Sequence, residues 1–146
     1  MAYKVKDIAR YMICKTNEMQ TPISNLKLQK LLYFAWKDYY KKYRRYLFNE
    51  NFEAWQFGPV VRNVYYDYCT YGPMPIRSPL YMSYEGDWIS AEDTNFLDQF
   101  LSEYKNKSVY ELVQLTHKPG EAWDKVFRGG IGSWQTIEYA LIKADC

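Results

Sequence analysis

The chain is short of most residues that carry chemistry. It has one histidine, His117, and three cysteines, Cys14, Cys69 and Cys146, scattered over 146 residues. No Cys-x-x-Cys pair exists, so a Cys/His zinc site is not expected, and isolated thiols fit a reducing compartment. Acidic residues such as Glu50, Glu53, Glu92 and Asp98 are spread out, with no Asp-x-Asp or Glu-x-x-His spacing for a metal ion. Charge is nearly balanced, 19 basic against 17 acidic residues. A nucleic-acid binder cannot be argued from a net charge of +2. The longest apolar run, Leu31 to Trp36, is far too short to cross a bilayer, and the N-terminus lacks the apolar core of a signal peptide. A cytoplasmic protein without membrane contact is expected.

What the chain has in excess is aromatic side chains: 16 Tyr, seven Phe and five Trp, or 19% of the residues. Tyr and Trp combine large apolar area with a polar tip, and so serve both cores and interaction surfaces. The length fits one domain, residues 1–146, with a core large enough to need no staples.

Hydrophobic spacing predicts a mainly α fold, a compact helical bundle of about six helices with a small β element. Val5, Ile8, Ala9, Met12 and Ile13 mark a first amphipathic helix. Ser24 is placed to cap a second, whose stripe is Leu28, Leu31, Leu32, Ala35 and Tyr39, with Lys27, Lys30, Lys37 and Lys41 mostly off it. Short strands are expected near 52–57 and 81–88. Gly58-Pro59 reads as a turn, with Pro59 at the first position of a third helix that runs to Gly72. Ser90 with Asp93, and Ser108 with Glu111, have capping-box spacing ahead of two further helices. A short helix over 121–127 ends at Gly129-Gly130, and Ser133 opens a last helix with Trp134, Ile137 and Leu141 on one face.

Three constellations merit a functional reading. His117 suits a general base if Glu121 or Asp124 lies beside it, or it closes the helix that ends near Leu115. The basic segment 37–45, with Lys37, Lys41, Lys42, Arg44 and Arg45 among Tyr39, Tyr40 and Tyr43, suits phosphates and bases, an acidic protein partner, or a solvated helix end. Gly129-Gly130-Ile131-Gly132 could present N–H groups to an anion, but is more simply a tight connection. No cofactor and no enzymatic activity are expected.

Two boxes carry a family resemblance. Residues 26–35, LKLQKLLYFA, contain Lys27, Leu28, Gln29, Lys30, Leu31 and Tyr33. Residues 52–61, FEAWQFGPVV, contain Trp55, Gly58, Pro59 and Val60. With a later element, Leu115-Thr116-His117 followed by Trp123, they resemble the signature of the SocA-like antitoxin family, the Panacea domain, formerly a phage-associated family. Ala122 stands where that family often has Pro before the Trp. The resemblance implies a mostly helical domain that neutralises a cognate toxin by direct protein–protein binding. It also implies, for one type, a proteolytic adaptor that delivers the toxin to ClpX of the ClpXP protease. An alternative is a phage interference protein that binds a host defence complex; a further one is a nucleic-acid-binding module using segment 37–45. Tyr39, Tyr43, Arg44, Arg45, Trp55, Arg62, Tyr66 and Trp88 are the expected partner contacts, because aromatic and Arg anchors dominate interface energetics.

Overall fold

The computed structural model describes residues 2–77 and 88–146. Among them are seven α-helices and one three-stranded antiparallel sheet of order β2-β1-β3. The expected strand near 81–88 lies outside the described residues, apart from Trp88.

Helix α2 (Asn25–Tyr43) is the axis of the molecule. Residues 28–37 are buried without interruption, so this helix has no solvent face over most of its length. It is touched by α1 (Val5–Glu18), α3 (Arg62–Tyr68), α4 (Ala91–Tyr104), α5 (Val109–Thr116), α7 (Tyr139–Ala144) and strand β2 (Gly58–Val60). Its start is set by Ser24, whose Oγ accepts the Lys27 N–H at 3.2 Å. Ser90 and Ser108 cap α4 and α5 in the same way, at 3.2 and 3.0 Å. Three of the four expected N-caps, Ser24, Ser90 and Ser108, are therefore present; each contributes about 1 kcal/mol.

The aromatic excess fills the space around α2. Trp36 is fully buried, and its indole N–H reaches the Phe48 carbonyl at 3.1 Å. Tyr139 packs on the same indole, with centroids 4.5 Å apart, and its hydroxyl donates to that carbonyl and to Glu50 O. On the other flank, Phe34, Tyr104, Phe100 and Phe96 run as consecutive ring contacts along α4. Trp36 and Tyr139 thus find backbone carbonyls for their polar tips, as burial demands.

Strand β1 (Phe52–Trp55) pairs with β2 on one side and β3 (Thr136–Ile137) on the other. Two corrections to the expected organisation arise here. The hairpin turns at Gln56-Phe57, and Gly58-Pro59 belongs to β2, with Pro59 opposite Ala54. Pro59 is tolerated because β2 is an edge strand of the sheet. Second, Ser133 opens no helix. Its Oγ donates to Gly130 O at 2.8 Å, the chain then enters β3, and α7 starts only at Tyr139. Between α6 (Ala122–Phe127) and β3, the glycine run is a tight connection through a 3₁₀ turn at Arg128–Gly130.

One glycine in that connection is sterically obligatory. A Cβ on Gly132 would lie 1.7 Å from the Val126 carbonyl oxygen, whereas one on Gly129 (φ 64°) meets nothing within 4 Å. Gly132→Ala is expected to cost more than about 2 kcal/mol through backbone displacement. Gly129→Ala should cost about 1 kcal/mol, from its left-handed backbone alone. Denaturant titration of the two variants would show this order, and equal losses would contradict it.

Candidate functional site

The motif residues converge on one place, where α2 grips the β1–β2 hairpin. Gln29 is fully buried; its Oε1 accepts the Val61 N–H at 2.9 Å and its Nε2 donates to Asn25 Oδ1 at 3.1 Å. Asn25 in turn donates to the Tyr65 carbonyl at 2.9 Å. Lys30 is 0% exposed, and its Nζ donates to the Pro59 carbonyl at 2.7 Å. One turn of α2 therefore holds the backbone of β2 and the entry to α3 with uncharged or weakly basic groups. The expectation that Lys30 and Lys37 lie off the buried stripe is corrected. Both are buried because neighbours cover every side of α2, and Lys37 pairs with Glu121 at 3.9 Å. Burial lowers the Lys30 amine to about 7.

Gly58 makes the grip close. Its φ is 115°, and a Cβ there would fall 2.7 Å from Thr116 Oγ1 and 2.9 Å from Lys30 Cε. Leu28 and Leu31 fill the core beside it, and the Tyr33 ring meets Phe52 edge-on at 5.2 Å. Lys27 points outward enough to reach the Lys105 carbonyl at 2.9 Å.

Trp123 is the third point of attachment. Its indole N–H donates to the Trp55 carbonyl at 2.7 Å, and its ring lies between His117 (3.8 Å, 5° between planes) and Phe127 (4.5 Å, 17°). His117 is the C-cap of α5 and half-buried. Burial, then the nearby Lys30 amine, lowers its pKa, with Asp124 opposing weakly. The two carboxylates considered as its partners are engaged elsewhere: Glu121 with Lys37, and Asp124 with the Gly120 N–H at 2.9 Å. His117 is thus an aromatic spacer here, and among the described residues it has no hydrogen-bonded carboxylate.

On the solvent side of this clamp lies a cleft of about 390 Å³, walled by Leu26, Trp55, Phe57, Val60, Tyr65 and Trp134. Trp55 and Trp134 face each other at 4.2 Å, and Tyr65 meets Trp55 at 4.9 Å. Glu53 organises the rim. It accepts the Trp55 indole N–H at 2.9 Å and pairs with Arg62 at 3.1 Å, whose guanidinium sits 5.6 Å from the Trp134 ring centre. Phe57 at the hairpin tip and Trp134 are 55% and 51% exposed.

Of the expected contacts, Trp55 and Arg62 belong to this cleft, and Tyr66, 53% exposed, packs edge-on to Tyr65 beside it. Trp88 is exposed elsewhere, against Arg10 of α1 at 5.7 Å. Tyr43, Arg44 and Arg45 gather at the far end of α2. Tyr39 is a correction: only 2% exposed, it is a core residue held by Phe96 and by Arg45, whose Nε donates to its hydroxyl at 3.0 Å. Phe57, Tyr65 and Trp134 were missed. Phe57 lies in the hairpin turn, which falls two residues before the expected Gly58-Pro59 turn, and Trp134 lies in a non-helical turn where a helix is expected. Among the described residues, no cluster of His, Cys, Asp and Glu is arranged to hold a metal ion, and no helix is long and apolar enough to cross a membrane.

The described residues thus form a mainly helical scaffold that clamps a small sheet and presents an aromatic cleft. The chain belongs to the family described as antitoxin SocA-like, Panacea domain, whose model matches residues 28–124. That span runs from the first turn of α2 into α6 and contains the hairpin and all but one residue of the grip, Asn25. The chain is also 32% identical over 133 residues to Antitoxin SocA of Caulobacter vibrioides (strain NA1000 / CB15N), covering 84% of this chain and 69% of that protein. No solved structure matches it.

The buried amine makes a testable contribution to stability. In the unfolded chain a lysine titrates near 10.4, whereas folded Lys30 titrates at about 7. Between these values the unfolded state binds more protons, so this group's contribution to stability rises with pH. Lys30→Met removes that slope. Its stability relative to the parent should therefore decline steadily from pH 7 to pH 9 in denaturant titrations, and a difference independent of pH would contradict the burial of the amine.

Proposed function

We propose that this protein is an antitoxin that neutralises a partner toxin by direct contact, and that the Trp55–Trp134 cleft with Phe57 at its tip is the contact surface. Family membership supports the antitoxin role in general. The choice of surface rests on one observation: the most exposed large aromatics near the clamp surround a single recess whose rear wall is fixed to the core. Rigid aromatic anchors in a pre-formed recess lose little entropy on binding, which is where interface hot spots are found.

Trp134 adds a second argument. Its φ of 72° lies in the left-handed region, an outlier for a bulky side chain. The conformation is held by its N–H donating to the Ala54 carbonyl at 2.7 Å, and by the Ala54 N–H returning to Gln135 O at 2.9 Å. Strain of this kind costs on the order of 1–3 kcal/mol and collects at functional surfaces. Here its effect is to lay the indole against Trp55 at the mouth of the cleft. Occlusion of the toxin by this surface is the simpler mechanism. Delivery to a protease such as ClpXP would use the same first contact and then a separate docking site.

The test uses the partner that co-purifies with the chain from its native host. Phe57→Ala and Trp134→Ala should each weaken the complex by about 2 kcal/mol or more, and abolish neutralisation of growth arrest, while far-ultraviolet circular dichroism stays at the parent level. Full neutralisation by the double variant would remove the cleft from the interface.

A further inference from the structure

At the opposite end of α2 from the hairpin, the surface changes from apolar to cationic. Leu26 and Tyr40 are separated by roughly 20 Å along the helix axis at 1.5 Å per residue, so the two regions are distinct. A hollow of about 420 Å³ is lined there by Tyr40, Arg44, Arg45, Tyr46 and Lys143. Arg44 is the left-handed C-cap of α2 (φ 55°), and Lys143 comes from α7. The helix dipole accounts for a cation at the end of α2. Lys143, in the last turn of α7, is brought to the same hollow by a second element.

The cations are held in place by neutral groups. Lys143 Nζ donates to Tyr46 Oη at 3.0 Å and lies over the Tyr46 and Tyr40 rings at 5.4 and 5.8 Å. The Arg44 guanidinium lies 5.4 Å from the Tyr40 ring centre. Arg45 is paired with Glu92 at 3.3 Å. Among the described residues no carboxylate lies within ion-pairing distance of Arg44 or Lys143, nor of Lys41 and Lys42 beside them. Arg45 is therefore compensated, whereas Arg44 and Lys143 are held over tyrosine rings with no ion-pair partner among the described residues.

Two ligand classes fit a basic surface rich in tyrosine, and the ring contacts separate them. Single-stranded nucleic acid needs open aromatic faces on which bases stack. Tyr40 is stacked on Trp36 at 5.7 Å and 13°, with Arg44 and Lys143 over its ring. Tyr46 is packed against Trp36 and Tyr139. Tyr43 carries Arg45 and Lys42 at 4.8 and 5.3 Å. These rings are occupied by the core and by the cations themselves. What remains on offer is a guanidinium fork and an ammonium, a donor set that binds carboxylates and phosphates alike, with no open ring to stack a base, which favours an acidic peptide over a single strand.

We infer that the Arg44–Lys143 hollow is a second docking surface, which takes a segment of a protein partner rich in aspartate and glutamate. It stands on observations separate from the hairpin cleft and survives if that reading fails. The probes are a fluorescein-labelled peptide of alternating glutamate and glycine, and labelled oligothymidylate of equal charge, titrated by anisotropy at physiological ionic strength. The variant Arg44→Asn/Lys143→Gln keeps a residue that tolerates the left-handed backbone at position 44, and its fold is checked by circular dichroism. The parent should bind the peptide more tightly than the oligonucleotide, and the variant should bind it about tenfold more weakly. Lys118→Gln/Lys125→Gln, with the same loss of charge on exposed positions elsewhere, and Phe57→Ala/Trp134→Ala should bind like the parent. No binding of the peptide, tighter binding of the oligonucleotide, or equal loss in either control variant would overturn the inference.

Discussion

The placement of the hairpin and of the aromatic cleft beside it depends on two polar side chains that α2 buries completely. Gln29 and Lys30 have no water to turn to, and an unsatisfied buried polar group costs on the order of 1–3 kcal/mol. Their partners are the Val61 N–H and the Pro59 carbonyl on the hairpin strand and its exit. Satisfying the helix therefore fixes the hairpin, and fixing the hairpin sets where Trp55 and Phe57 stand. Trp123 closes the arrangement from α6 through the Trp55 carbonyl. A glycine at position 58 is what permits the approach, since any side chain there would enter the space of Lys30 and Thr116.

Part of the aromatic excess is core and part stands at the surface around this clamp, while Trp88 and Tyr110 are exposed away from the cleft. Trp36, Tyr39, Phe48, Phe52 and the α4 rings are core, and their polar tips are absorbed by carbonyls or by Arg45. Phe57, Tyr66 and Trp134 remain at the surface around the cleft. An exposed apolar cluster on a rigid support is costly to keep unless something covers it part of the time. In the function proposed above, the partner toxin is what covers it.

Much of the fold was legible because local signals were strong. The serines at 24, 90 and 108 precede periodic apolar runs, and each caps the helix expected of it. What failed was every inference that needed tertiary context. Lys30 and Lys37 fall off a simple apolar stripe, yet neighbours surround α2 on all sides and leave a lysine at those positions nowhere else to go. Pro59 after Gly58 has the signature of a turn into a helix, but the edge position of β2 let it be a strand residue. Trp134 looked helical because its spacing to Ile137 and Leu141 is helical, and only the positive φ at that residue reveals otherwise. For the candidate site, Trp55, Arg62 and Tyr66 were reachable from composition and the family boxes. Phe57, Tyr65 and Trp134 required the hairpin geometry. Tyr39 illustrates the converse: nothing in a basic, tyrosine-rich stretch says which tyrosine is turned into the core.

The central claim is that the Gln29–Lys30 grip on the hairpin is what makes the surface competent to bind. Amide hydrogen exchange at Val61, measured in the parent and in Gln29→Ala together with affinity for the co-purified partner, tests it most directly. The account predicts that the Val61 amide changes from slow to fast, that α2 amides stay protected, and that affinity falls with the freed hairpin. Undiminished affinity with a fast-exchanging Val61 would contradict it.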